Sequence, residues 1–143
     1  MIDRYDSLIV TFTTRLLVPF IQIFALYVIA HGHFSPGGGF QGGAILAASG
    51  LLVRISLGQP VVRWFTHSRM RWLGAAGLLI FAGTGIVPLF FGSAYLDYSG
   101  LPIPFLSGAA LRATGILIVE IGIAMAVLGI LLTIFDHLSG WDR

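Results

Sequence analysis

Few side chains in this chain of 143 residues could take part in chemistry, and the most informative is Glu120, set inside the apolar run GILIVEIGIAMAV. An ionised carboxylate among lipid-soluble residues is expensive, so such groups face a bundle interior or water and often mark the path of a proton or cation. Two readings stay open for Glu120: a proton or sodium relay at an interface between chains, or a protonated or hydrogen-bonded glutamate with a structural role. His31 and His33 flank Gly32, and imidazoles at the mouth of a membrane span could gate proton entry. The same spacing could begin a metal site, but no third ligand is near in sequence. Interfacial histidines with ordinary hydrogen bonds are the plainer reading, and neither a metal nor a cofactor is expected. The chain has no cysteine, which excludes thiolate metal sites, disulfides and cysteine redox chemistry. No nucleophile and base pair up in context, so independent catalysis is not expected.

The elements that must hold these residues are membrane spans. Hydrophobic residues make up 57% of the chain and charged residues 10%, against roughly 25% charged in soluble domains. A bilayer core needs about 20 mostly apolar residues as helix, and four segments qualify: residues 8 or 16 to 30, 40–57, 72–91 and 113–135. Each must be helical, because main chain in lipid has to satisfy its own hydrogen bonds. The expected fold is an all-α membrane protein with four transmembrane helices, residues 1–143 forming one domain that crosses the membrane several times. The first thirty residues lack a short apolar core with a cleavage site, so no cleaved signal is expected.

Orientation follows from arginine, the only basic residue besides histidine. Arg4, Arg15, Arg54, Arg63, Arg69, Arg71 and Arg143 fall at the N-terminus, in the middle connection or at the C-terminus, and Arg112 alone falls elsewhere. Positively charged loops stay in the cytoplasm, which predicts cytoplasmic N and C termini. Connections 31–41 and 92–112 are then expected on the outer side. The pI near 9.5 is topology information in this setting, and no nucleic acid partner is expected. Arg15 complicates the first span: a start at Leu8 puts it about two turns inside, at a penalty of roughly 2.5–3.5 kcal/mol. An interfacial piece over residues 2–14, with the span starting near Leu16 and Pro19 in its first turn, is the favoured picture.

The first two spans are joined by HGHFSPGGGFQGG, residues 31–43, with six glycines and one proline. Gly37, Gly39 and Gly42 satisfy the G-x-G-x-x-G pattern, but without a strand before it the pattern carries no dinucleotide meaning. Glycines here permit a tight turn and close approach of a neighbouring helix. For the second helix to cross the core it must start between Pro36 and Gln41, so part of the run sits at membrane depth. Irregular main chain there needs shelter from protein or a water-filled cavity, which predicts a partner chain or an aqueous space beside it.

The run GHFSPGGGFQGG after an apolar helix, followed by AILAAS, resembles the signature of the MnhB-type subunit of Mrp-type multisubunit Na⁺/H⁺ antiporters, also found in the membrane arms of related membrane-bound hydrogenases. GILIVEIGIAMAV extends the resemblance, which covers essentially the whole chain in span count and order. Pro36, Gly37, Gly38, Gly39, Phe40, Gln41, Gly42 and Gly43 carry its structural motif. The resemblance implies a small subunit of a monovalent cation (Na⁺)/proton antiporter in the prokaryotic cell (inner) membrane. It would stand among other subunits and membrane lipid, with Na⁺ and H⁺ as the ions that the complex transports. The alternative it implies is a membrane-arm subunit of a redox-driven complex such as a membrane-bound hydrogenase.

Small residues complete the pattern. Gly115, Gly122, Ala126 and Gly129 form one stripe on the fourth span, suited to close helix packing, and Glu120 points roughly 140–200° away from it, toward a different neighbour. Gly43, Ala47 and Gly50 line a face of the second span, and Gly74, Gly77, Gly83 and Gly85 thin the third. Gln22 and Gln41 are placed to bridge helices, while Ser49, Thr84 and Thr114 should bond their own helix backbones. His67, among arginines, reads as solvated or lipid-facing.

Overall fold

The computed structural model describes residues 7–32, 37–57 and 66–140. His33, Pro36, Arg4, Arg63 and Arg143 lie outside the described residues. Four helices run α1 (Leu8–Ala30), α2 (Gly39–Leu57), α3 (His67–Phe90) and α4 (Gly108–Ser139), with a single 3₁₀ turn at Tyr98–Gly100 between α3 and α4. All four are long and apolar enough to cross a membrane. Their spatial order differs from their chain order. α1 packs on α2, α2 on α4 and α4 on α3; α1 also touches α4, and among the described residues α2 and α3 do not meet. The result is a row with α2 and α4 inside and α1 and α3 at its edges.

Small residues let these helices approach. A β-carbon on Gly77 would lie 2.5 Å from the backbone N of Ala126 and O of Gly122, and one on Gly129 would lie 2.5 Å from the backbone N of Gly74. On the other side of α4, a β-carbon on Gly43 would stand 2.8 Å from the Cα of Ala124. Ala25, Ala47, Ala124 and Ala126 are buried with Leu132 between these contacts. Without a hydrophobic drive between helices in lipid, such contact of backbones supplies the van der Waals attraction that holds them. Ser49, Thr84 and Thr114 donate hydroxyl hydrogen bonds to Leu46, Ile80 and Ala110 carbonyls of their own helices.

Several boundaries depart from expectation, the start of α4 at Gly108 among them. α1 is one continuous helix from Leu8 with no break near Leu16, so Pro19 lies in its interior, where it removes one backbone donor, and not in its first turn. Arg15 lies on its exposed face. α3 begins at His67, five residues before the expected start, and α4 extends through Asp136. With 32 residues, α4 is about 48 Å long, well beyond the roughly 30 Å of a bilayer core.

The segment between α3 and α4 folds back on both helices. Leu96 N–H donates to the Gly85 carbonyl at 3.2 Å, Tyr95 covers Gly85, and Tyr98 with Leu101 covers Gly115. Asp97 Oδ1 accepts from the backbone N–H and the hydroxyl of Ser99, capping the 3₁₀ turn.

Candidate functional site

Glu120 and the glycine-rich connection, distant in sequence, meet. α1 closes with His31 N–H on the Tyr27 carbonyl and Gly32 N–H on the Ile29 carbonyl, and α2 opens with Gly42 N–H on the Gly38 carbonyl. Gly38 has φ +118°, a conformation that only glycine adopts readily. A β-carbon on Gly32 would overlap both carboxylate oxygens of Glu120, and one on Gly38 would stand 3.0 Å from Oε1. One on Gly39 would strike the carbonyl oxygen of Glu120 itself. The carboxylate therefore lies directly under the bare backbone of residues 32 and 38, with Oε2 enclosed.

The other candidates take different places. Gly42 packs on Ile29 and the Ala25 carbonyl of α1, and Gly43 on α4; Gly37, Phe40 and Gln41 are exposed. His31 is exposed and stacks on Tyr27, ring centroids 4.2 Å apart. The small-residue stripe of α4 faces α3 through Gly122, Ala126 and Gly129, while Glu120 faces the α1–α2 connection.

A second charged site forms at the opposite end of the helices. Arg54 belongs to α2 and not to the middle connection, and its Nη2 donates to Asp136 Oδ2 of α4 at 3.0 Å, both side chains 1% exposed. His67, expected to be solvated or lipid-facing, is instead largely covered. It is 18% exposed, its Nδ1 lies 3.8 Å from the same Asp136 oxygen, and its ring meets that of His137 edge-on at 4.4 Å. Sequence carried one signal for this pair: Arg54 follows Gly43, Ala47 and Gly50 at i+11, i+7 and i+4, on the very face that packs on α4. Asp136 likewise continues Gly122 and Gly129 at heptad spacing, and lies one turn beyond Leu132. It thereby stands between α2 and α3.

A groove of about 290 Å³ runs beside this pair, lined by Gln22 and Leu26 of α1, Ser49, Val53 and Arg54 of α2, and Leu132 of α4 among others. Gln22 and Arg54 are thus brought to one space.

Residues 9–133 match the family described as a domain related to the MnhB subunit of the Na⁺/H⁺ antiporter. A protein of Staphylococcus haemolyticus named as antiporter subunit mnhB2 is 33% identical over 137 residues, covering 96% of this chain and 97% of its own length. One of the same name from Staphylococcus aureus strain MRSA252 is 31% identical over 139 residues, with the same coverage. Near-complete coverage on both sides and four helices able to cross a membrane agree with the match over residues 9–133: the chain belongs to the family of domains related to the MnhB subunit of Na⁺/H⁺ antiporters.

Proposed function

We propose that this chain is a small, multi-pass subunit of a multisubunit monovalent cation (Na⁺)/proton antiporter in a prokaryotic cell membrane, where it supports assembly and lines part of the ion path through Glu120. The observation that carries the second half is the fit of the Gly32–Gly38–Gly39 backbone over the Glu120 carboxylate. Glu120 is the thirteenth residue of α4, about 18 Å from its start; centring a core of about 30 Å on this helix puts the carboxylate about 9 Å inside it. A charge at that depth is retained where it meets water, an ion or a partner group. Irregular backbone beside it needs shelter from other polypeptides or a cavity. Edge helices whose outer faces are uncovered, with Phe12, Phe20 and Phe24 exposed on α1 and Leu79 and Phe90 on α3, leave room for neighbouring subunits or lipid.

The proposed orientation keeps the end bearing Arg15, Arg69 and Arg71 in the cytoplasm. Burial of Arg54 removes it from the arginine tally, leaving six against one, so the asymmetry still supports this side.

The test is Glu120→Gln in the assembled complex, assayed for Na⁺/H⁺ exchange in everted membrane vesicles, with subunit stoichiometry checked after mild detergent extraction. Exchange is expected to fall to background while the complex assembles. Full exchange with normal assembly would reduce Glu120 to a packing residue.

A further inference from the structure

Along their contact α3 and α4 leave a groove of about 270 Å³, separate from the one beside Arg54. Gly74, Ala75 and Leu78 of α3 and Gly129, Ile130 and Ile134 of α4 line it, with Arg71 at the end nearest the start of α3. Its one hydroxyl, on Thr133, already donates to the Gly129 carbonyl, so beyond the guanidinium the wall is apolar. Gly74 is not bare to let the helices meet. A β-carbon there would come no closer than 3.5 Å to α4, against 2.5 Å at Gly77 and Gly129; its missing side chain deepens the groove instead.

Depth assigns the two parts of this groove to different layers of a bilayer. α3 has 24 residues, about 36 Å, so a core of about 30 Å centred on it begins about 3 Å from the helix start. Arg71, the fifth residue, stands within about 3 Å of that boundary, from where a guanidinium extends outward to the headgroups. Trp72 beside it is 75% exposed, at the depth where indoles anchor helices to the interface. Arg71 is exposed and makes no ion pair among the described residues. A second hollow, lined by Arg71, Trp72 and Ala75, adjoins the groove, so one cation stands over two recesses. An apolar helix seated there would leave that cation facing hydrocarbon. A phospholipid with two chains sets charge on charge and chain along chain.

We propose that the α3–α4 groove binds a phospholipid of net negative charge, its phosphate against Arg71, its headgroup beside Trp72 and one acyl chain along Ala75, Leu78 and Ile130. Basic pockets between membrane helices recognise anionic headgroups in this way. The inference needs only that the chain spans a bilayer; neither Glu120 nor an ion path enters it.

The test supplies membranes carrying the assembled complex with phosphatidylglycerol that bears a diazirine on one acyl chain, and in parallel with phosphatidylcholine bearing the same chain. After illumination, the labelled residues are read by peptide mass spectrometry. Labelling within residues 74–78 and 129–134 is expected to favour phosphatidylglycerol about five-fold, the factor that one basic side chain near an anionic surface supplies. Arg71→Gln should bring that ratio to about one. Ala75→Phe, at an exposed position, should fill the groove and cut labelling there by either lipid. Equal labelling by the two lipids overturns the proposal, as does a preference that survives Arg71→Gln or labelling that survives Ala75→Phe. A groove that takes no label overturns it in favour of a neighbouring polypeptide seated there. Should the chain be recovered without other subunits, the same ratio is read on the full chain in bilayers of the two lipids. No readout uses ion exchange, so failure here leaves the reading of Glu120 standing, and the reverse.

Discussion

The α-carbon of Gly32 and the carboxylate of Glu120 are so close that residue 32 has no space for a β-carbon. Eighty-eight positions separate the two along the chain, and α4 brings them together by holding Glu120 opposite the turn between α1 and α2.

Gly39→Ala is the sharpest probe of that contact, since its β-carbon would strike the main chain of Glu120 and could not be relieved by a rotamer change. Overpacking of this kind costs about 1–3 kcal/mol. The chain is expected to accumulate at lower level in the complex, and exchange by the assembled fraction to drop, measured in vesicles against subunit content.

Gly77→Ala meets the backbone of α4 at Ala126 and Gly122, whereas Gly83→Ala on the same helix meets nothing within 4 Å. The first is expected to destabilise the α3–α4 pair by about 1–3 kcal/mol. The second should stay within about 1 kcal/mol of the parent chain, since alanine favours helix. Unfolding of the chain in micelles by SDS titration compares them directly.

Removing one partner of the Arg54–Asp136 pair leaves the other charge buried. Arg54→Met or Asp136→Leu alone is expected to cost about 3–5 kcal/mol, and the double substitution to recover most of it. Equal loss in the double and single variants, in the same SDS titration, would mean that the charge attraction is not what ties α2 to α4.

Asp97 lies in the connection between α3 and α4. The hydroxyl of Ser99, then its backbone N–H, then the charge of Arg112 hold its carboxyl below the usual aspartate value. A group with a lowered folded value contributes order above its unfolded pKa of about 3.9 and loses that contribution as pH falls through the lowered value. Hydrogen-exchange protection of the Ser99 amide is therefore expected to fall on acidification below about pH 4 in the parent chain. It should show no such dependence in Asp97→Asn.

Burial of Tyr98 against Gly115 raises its phenol above the ordinary tyrosine value, with Tyr95 adding to the effect. Gly115→Leu is expected to expel Tyr98 and bring its titration back toward about pH 10, read by absorbance of the ionised phenol.

The helices were legible because apolar runs of adequate length are rare outside membranes, and the stripes at Gly43, Ala47 and Gly50 and at Gly122, Ala126 and Gly129 identified faces that do pack. The angular separation of Glu120 from the α4 stripe also followed from helical periodicity alone. What periodicity could not supply was the neighbour: only the turn after Gly32 brings the glycine run onto Glu120. Arg54 and His67 were misplaced for a different reason. Charge near the end of an apolar run reads as solvated, and hydropathy does not distinguish a charge facing water from one facing an opposite charge on another helix. The start of α1 was obscured by Arg15, whose charge marks no break in a helix that leaves it on the outer face.

α4 carries both acids on one rod without a proline, Glu120 as its thirteenth residue and Asp136 sixteen residues on, about 24 Å along the axis. A stiff shaft of this kind turns as a unit. The seat of Asp136 against Arg54 and the seat of Glu120 under its glycine roof are therefore two sockets on one lever, and a turn at either is felt as a turn at the other.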